Sequence, residues 1–220
     1  MVSRNREDYL MCIYRLTQEG GAAKTNDIAH NMKVSPASVT EMMQRLSEEN
    51  LVEYEKYRGV KLTRAGNRHA RQMKRKHRLM EKFLVNILDT DVDTAHEEAC
   101  KLEHVFSDAA AQKLCRIIGE PDDCNGCEDK YREGCINQNM SQETIASMSK
   151  GENAVISHLR CENPEKIRKL ISMGFVPGRE ITLENSLPFQ GPMVLRLGKS
   201  LLALDKEYAN LIFIERKCAP

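Results

Sequence analysis

The stretch AHEEACKLEHV contains side chains of the kinds that bind transition metals. Its four candidate ligands follow one another at positions i, i+4, i+7 and i+8: His96, Cys100, Glu103 and His104. This spacing predicts that all four lie on one face of a single helix. A row of imidazole, thiolate and carboxylate groups is costly as a packing face but suits a divalent cation. We therefore expect a metal site on this helix.

Two pairs of residues upstream add further candidate ligands. His77 and Glu81 stand four residues apart on the preceding predicted helix, and Asp8 and Met11 lie together on the first helix. A single His-x3-Glu pair on a charged helix is usually a solvated pair, but two such helices in succession favour a metal site. Met11 has a second interpretation as an ordinary core residue.

Three cysteines in an acidic loop form a separate pattern. Their spacing is C-x2-C-x7-C, at Cys124, Cys127 and Cys135. A Cys-x2-Cys pair is a common pair of metal ligands. With Cys115 or Cys161 as a fourth ligand, the loop would hold structural zinc or an iron–sulfur cluster. Three reduced thiols without a ligand are the alternative.

The composition is that of an ordinary soluble chain with packed cores. There are 220 residues, 41% of them hydrophobic, and 33 Lys and Arg balance 32 Asp and Glu. The longest apolar runs are a few residues long, whereas a membrane span needs about 20. The N-terminus MVSRNREDYL has charges where a secretory signal is apolar, so we expect the chain to stay in the reducing cytoplasm. Its cysteines are then expected to be thiols or metal ligands.

The N-terminal third has the pattern of a winged helix-turn-helix. A first helix over residues 7–18 precedes a short second helix, which Thr25 is expected to cap. Ser35 and Pro36 then mark the start of a third helix. Two short strands around a turn at Tyr57, Arg58 and Gly59 would form the wing.

A basic block overlaps the wing and indicates an anion-binding face. Residues 56–78 contain ten Lys or Arg and no Asp or Glu. Small side chains at the start of the third helix are expected to enter a DNA groove, with DNA shape contributing to recognition, while basic residues contact phosphates. The candidates are Ser35, Ala37, Ser38, Thr40, Glu41, Lys56, Tyr57, Arg58, Lys61 and Arg64.

The remaining chain is predicted to be helical first and then β-rich. One helix is expected over residues 65–88 and another over about 93–119. After Gly151, short apolar runs (EITLEN, MVLRLG, SLLALD and LIFIER) are separated by Gly and Pro turns. This pattern predicts a small barrel preceded by one helix near residues 164–173.

Five sequence blocks, in order, carry a resemblance to a known family: EDYLMCIYRL, SVTEMMQRL, LVEYEKYRGVKLT, KHRLMEKFL and HEEACKLEHVFSD. The chain resembles the diphtheria toxin repressor and manganese transport regulator family of metal-activated repressors over nearly its whole length. The resemblance implies a mainly α fold with small β elements. Its expected parts are a winged helix (1–66), a helical metal-binding and dimerisation domain (67–140), a linker (141–150) and an SH3-like domain of the ferrous-iron transport protein A type (151–220).

The resemblance also implies which residues bind metal. The primary, activating site would consist of Asp8, Cys100, Glu103 and His104. An ancillary site would consist of His77, Glu81 and His96. Glu162 and Glu165, just before or within the C-terminal helix, are weaker candidates for the ancillary site and could equally be helix-capping charges.

The ligand types combine features of iron and manganese sensors. Asp8 is typical of the manganese-sensing members, which also have Glu where Met11 and Cys100 stand. The thiolate of Cys100, the missing carboxylate at Met11 and the C-terminal domain favour Fe(II), with Mn(II) as the alternative and two sites per subunit.

These features predict a metal-dependent repressor rather than an enzyme. A homodimer loaded with metal would bind a pseudo-palindromic operator and control metal homeostasis genes. A metal-dependent hydrolase is disfavoured because no separate general base or nucleophile is evident. A cytosolic metal store or carrier is the other alternative, and the small side chains of the third helix argue against it.

Overall fold

A computed structural model describes residues 4–18, 20–56, 58–119, 142–161, 163–188 and 191–216. The chain divides into two compact units. The first consists of Met1–His77 and Cys100–Val105, and the second of Arg78–Ala99 and Phe106–Pro220. Five candidate residues lie outside the described ranges: Tyr57, Cys124, Cys127, Cys135 and Glu162.

The N-terminal part of the first unit is a winged helix-turn-helix. Its elements are α1 (Arg4–Leu16), α2 (Thr25–Met32), α3 (Pro36–Glu48), β1 (Val52–Glu55) and β2 (Gly59–Leu62). The apolar stripes of the three helices meet in one core that includes Ile13, Ile28, Val39, Met43 and Leu46. The fold expected for this segment is confirmed.

The starts of α2 and α3 differ in how they are capped. Ser35 caps α3, since its Oγ accepts a hydrogen bond from the Ser38 N–H at 3.1 Å, and Pro36 occupies the first turn as expected. The prediction that Thr25 caps α2 was wrong. Thr25 is the first helical residue, and the preceding Lys24 makes no capping bond with its side chain, because a lysine side chain carries only donors.

The hairpin is joined to the helices by backbone bonds. Strands β1 and β2 are antiparallel, with Glu55 opposite Gly59. Ala23 and Val60 exchange two backbone hydrogen bonds of 2.8 and 2.9 Å. Gly59 has φ of 103°, and a Cβ there would lie 2.7 Å from the Ala23 carbonyl oxygen. The close approach of the hairpin to the segment before α2 therefore requires glycine at this position.

Helix α4 (Arg64–Asn86) begins directly after the hairpin. Thr63 links the two elements, because its Oγ1 donates to the Asn50 carbonyl at 2.7 Å and accepts from the Gly66 N–H at 3.1 Å. Met11 of α1 packs with Ala70 and Met73 of α4 in an apolar cluster.

The single helix expected over 93–119 was wrong. Helix α5 (Val92–Leu102) ends before Glu103, and helix α6 (Asp108–Ile118) begins after Ser107. The side chain of Ser107 accepts the Ala110 N–H at 3.2 Å, and such a cap starts a new helix in place of continuing the old one. Glu103 and His104 thus lie in the connecting turn, not on the helical face that carries Cys100.

The C-terminal part of the second unit is a small antiparallel sheet. Its elements are β3 (Asn153–Leu159), α7 (Pro164–Ser172), β4 (Glu180–Ser186), β5 (Met193–Leu197), β6 (Ser200–Leu204), α8 (Lys206–Ala209) and β7 (Ile212–Arg216). The strand order is β6-β5-β4-β3-β7. The expectation that a helix precedes the whole sheet was wrong, since β3 comes before α7 and pairs with both β4 and β7.

Two contacts within the second unit join this sheet to the helical segment. Helix α6 packs against β3. Arg168 of α7 donates from Nη1 to the Asn86 carbonyl at 3.0 Å and to Asp89 Oδ1 at 3.2 Å. Among the described residues, no helix is both long enough and apolar enough to cross a membrane.

Candidate metal centre

Candidate ligands from three parts of the chain meet inside the first unit. Helix α1 contributes Asp8, α4 contributes His77, and the end of α5 with its following turn contributes Cys100, Glu103 and His104. The network also includes one carboxylate absent from the predicted ligand set, that of Glu7.

His104 is at the centre of one half of this network. Its imidazole, 4% exposed, lies between carboxylates: Nδ1 is 2.8 Å from Glu7 Oε2, and Nε2 is 3.0 Å from Asp8 Oδ1. Nε2 also lies 3.5 Å from Glu103 Oε1. A neutral imidazole has a single N–H, so it can donate to only one of these groups. The other nitrogen is then available to a cation.

Glu103 connects His104 to the other half of the network, which consists of His77 and Cys100. Its second oxygen, Oε2, lies 2.8 Å from Nδ1 of His77, and that nitrogen is 3.9 Å from Cys100 Sγ. The glutamate and His77 side chains are each only 7% exposed. The Oε2–Nδ1 pair is close enough for an ion pair but lacks hydrogen-bond alignment, and Oε2 accepts no hydrogen bond from the described part of the chain.

This orphaned oxygen is the observation that fits a metal. A buried carboxylate oxygen without a donor costs free energy, and a divalent cation would supply the missing positive charge. Carboxylate, imidazole and thiolate donors are all within reach of such an ion and match the ligand types of divalent transition metals. The residues present therefore fit a bound cation.

A second acid–imidazole pair lies in the second unit. Glu81 of α4 contacts His96 of α5, with Oε1 2.7 Å from Nδ1, and also pairs with Arg78 through Oε2 at 2.9 Å. His96 is 54% exposed. Because His77 belongs to the first unit and contacts Glu103 there, the assignment of His77, Glu81 and His96 to one ancillary ion stays a prediction.

The weaker candidates have other surroundings. Met11 is buried in the apolar cluster with Ala70 and Met73, an environment typical of a core residue. Glu165 is exposed in the first turn of α7, where its N–H donates to the capping Asn163 Oδ1 at 2.9 Å. Cys115 is buried in α6, and Cys161 is half-buried, with its thiol 3.5 Å from the Asn163 carbonyl oxygen.

Most candidate DNA contacts are exposed at α3 and the hairpin, and several make local bonds. Thr40, half-buried, donates from Oγ1 to the Pro36 carbonyl at 3.0 Å, and Glu41 pairs with Arg45 at 2.5 Å. Gln44 is also exposed on α3, three residues after Glu41. The exposed candidates are Ser35, Ala37, Ser38, Glu41, Lys56, Arg58, Lys61 and Arg64.

Three family models match successive segments of the chain. The model described as "Iron dependent repressor, N-terminal DNA binding domain" matches residues 1–60, and "Iron dependent repressor, metal binding and dimerisation domain" matches 63–131. A FeoA domain matches 143–216. The manganese regulator MntR of Bacillus subtilis is 37% identical over 107 residues, which span 49% of this chain and 75% of MntR. The chain belongs to the iron-dependent repressor family.

Two further relatives agree with this membership. An uncharacterised helix-turn-helix regulator of Methanocaldococcus jannaschii is 40% identical over 114 residues, 51% of this chain and 91% of that protein. The solved structure of the metal-dependent transcriptional regulator MtsR covers 98% of this chain and 100% of its own, with 26% identity and a TM-score of 0.52. This family member therefore has the architecture of a DNA-binding, metal-dependent transcriptional repressor with an SH3-like C-terminal domain.

Proposed function

We propose that this iron-dependent repressor family member binds operator DNA as a homodimer when Fe(II) occupies a site formed by Asp8, Cys100, Glu103 and His104. The observation that supports it most is the network of acids around His104, with the orphaned Glu103 Oε2 beside it. A bound cation would balance the negative charge that these carboxylates bring together.

Helix α1 provides the route from the metal site to the DNA-binding surface. Asp8 lies between Tyr9 and Glu7, and the next turn of α1 buries Ile13 in the same core as Val39 of α3. In addition, Arg6 forms an ion pair with Glu49, the C-cap residue that follows α3. An ion that holds α1 to the 100–105 turn therefore restrains the helix that carries the recognition surface.

The coupling between metal binding and DNA binding must act in both directions. If metal favours the DNA-binding conformation, DNA must raise metal affinity by the same factor. In a dimer of this fold, two α3 helices would enter successive major grooves roughly 34 Å apart, which favours a pseudo-palindromic operator. We propose that the regulated genes serve metal homeostasis and that the protein acts in the cytoplasm, where its DNA target lies, without a catalytic role.

The donor atoms favour Fe(II) over Mn(II). Cys100 and the two imidazoles of His77 and His104 are softer than the oxygen ligands that Mn(II) prefers. Met11, where a carboxylate would favour Mn(II), is buried against α4. Mn(II) is the alternative effector. Glu81 and His96 are proposed ligands of a second metal site in each subunit.

Fluorescence anisotropy of the upstream DNA tests this proposal. The full chain is titrated anaerobically at fixed salt with chelator, Fe(II) or Mn(II). We expect Fe(II) to raise DNA affinity at least tenfold. Asp8→Asn should lose this stimulation, whereas the matched control Asp93→Asn, an exposed carboxylate on α5, should keep it. DNA binding that is absent, or the same with and without metal, would overturn the proposal.

A further inference from the structure

Glu7 makes a contact that the predicted metal site does not use. Its carboxylate is 13% exposed, and Oε2 lies 2.8 Å from Nδ1 of His104 in hydrogen-bond geometry. Glu7 is adjacent to Asp8 on α1, and the two residues reach opposite nitrogens of the same imidazole ring.

The two nitrogens of His104 have different surroundings. Nε2 faces Asp8 Oδ1 and Glu103 Oε1, at 3.0 and 3.5 Å, and both carboxylates belong to the proposed ligand set. Nδ1 faces Glu7. Two carboxylates of the proposed site, those of Asp8 and Glu103, thus lie on the Nε2 side of the ring.

We propose that Glu7 is a positioning residue: it holds the proton of His104 on Nδ1, orients the ring, and so presents an unprotonated Nε2 to the metal. This inference rests on the proposed function. Neutral histidine places its one N–H on either nitrogen, and the hydrogen bond to a carboxylate selects which. Partners of this kind commonly alter metal affinity about 10- to 100-fold.

Direct ligation by Glu7 fits the geometry less well. The two ring nitrogens point away from each other, so an ion on Nε2 cannot occupy the space between Nδ1 and Glu7 Oε2. Oε2 of Glu7 already accepts a hydrogen bond from Nδ1 of His104 at 2.8 Å. Glu7 therefore acts through His104 and not on the ion itself.

Mn(II) binding by the full chain, followed by the electron paramagnetic resonance of free Mn(II), separates these roles. Glu7→Leu should weaken the affinity about 10- to 100-fold without changing the number of ions bound per subunit. Glu7→Gln should retain part of the affinity, because its amide oxygen still accepts the Nδ1 proton. The matched control is Glu53→Gln, an exposed position on β1, which should bind as the wild type does.

Two results would overturn the inference. Wild-type affinity in Glu7→Leu would show that the contact does not matter, and the loss of one bound ion would make Glu7 a ligand. If the wild-type protein itself binds no Mn(II) or Fe(II), the proposed function fails first, and the two failures are thereby distinguished.

Nitrogen-15 NMR of histidine-labelled protein loaded with Zn(II) reads the tautomer directly. We expect the His104 proton on Nδ1 and the metal-induced shift on Nε2. In Glu7→Leu the Nδ1 proton should exchange faster with water, a change that a merely structural loss elsewhere would not produce. A metal-bound Nδ1 in the wild-type protein would contradict the proposal.

Discussion

His158 stacks on Phe213 inside the C-terminal sheet, with ring centroids 4.4 Å apart and ring planes 13° apart. His158 is 2% exposed, and neither of its ring nitrogens has a hydrogen-bond partner in the described part of the chain. Burial, together with the positive charges of Arg160 and Arg116, lowers the pKa of His158 to about 4 against the opposing effect of Glu215. The folded protein therefore holds this histidine neutral.

The stability of the protein should fall on mild acidification because of His158. Its pKa is about 6.5 when unfolded and about 4 when folded, so the unfolded state binds the proton more tightly. The stabilisation is complete above pH 6.5 and is lost as pH falls towards 4. From pH 7 to pH 5 we expect a loss of about 2 kcal/mol, measured by urea denaturation with chelator present.

The variant His158→Phe isolates this contribution from other titrating groups. A phenyl ring retains the stack on Phe213 but has no proton to bind. The difference in unfolding free energy between pH 7 and pH 5 should therefore be smaller in the variant by about 2 kcal/mol. Equal pH dependence in the two proteins would contradict the assignment.

Glu103→Gln should separate the stability of the metal-free protein from metal binding. Its Oε2 is buried without a donor, so removing the negative charge should raise the unfolding free energy at pH 8 in chelator by about 1 kcal/mol. The same change should abolish stabilisation by added Mn(II). A residue with only a structural role would lower stability in both conditions, and thermal unfolding with and without Mn(II) reveals which occurs.

Ser35 combines helix capping with a position expected to face DNA. Ser35→Ala should cost about 1 kcal/mol through loss of the cap, and Ser35→Asp should retain the cap because carboxylates cap helices equally well. The added negative charge of Ser35→Asp should nevertheless repel phosphates and weaken DNA binding more than Ser35→Ala does. Chemical denaturation and anisotropy on the same two variants make the comparison. Tight DNA binding by Ser35→Asp would place this residue away from the nucleic acid.

Gly66→Ala should destabilise the protein although Ala is the better helix former. In a helix, alanine is more stabilising than glycine by about 1 kcal/mol. However, a Cβ at Gly66 would lie 1.9 Å from the Leu51 carbonyl oxygen. Relieving this overlap requires α4 to shift away from Leu51, which lies between α3 and β1, at a cost of about 1–3 kcal/mol. Denaturation should show a net loss of stability, and a gain would mean that the helix moves freely at this point.

Local signals were sufficient for the DNA-binding fold. Ser35 and Pro36 mark the start of α3 in the sequence, and Gly59 marks the turn of the hairpin. Each of these signals acts on residues only a few positions away, so the start of the helix and the turn can be predicted from the sequence alone. The same holds for Asn163 and Pro164, which begin α7.

Strand β3 was missed because its alternation is broken. The pairing of β3 with β7 shifts between Ile156 and His158, and a bulge of this kind changes which side each residue faces. As a result the polar residues Ser157 and His158 are buried beside apolar Leu159, and the two-residue period expected of a strand disappears from the sequence.

The candidate ligands were identified from the sequence, but their geometry was not. Glu103 and His104 are neighbours in a turn, and both side chains reach the same site. A helical pattern does not predict this arrangement, because adjacent residues of a helix point about 100° apart. Glu7 was missed because one more carboxylate beside Asp8 in a charged N-terminus resembles a solvated charge. Only tertiary contact with His104 identifies it.

The first unit is discontinuous in sequence: the chain leaves it at His77, returns at Cys100 and leaves again at Val105. A fragment cut at the end of α3 or of the hairpin would retain the recognition helix but lack Cys100, Glu103 and His104. Exchange of the DNA-binding segment alone between relatives would likewise separate Asp8 from these three residues. A chimaera that keeps the four residues of the proposed metal site together in one parental sequence must therefore be joined beyond His104, and keeping the whole first unit moves that junction beyond Val105.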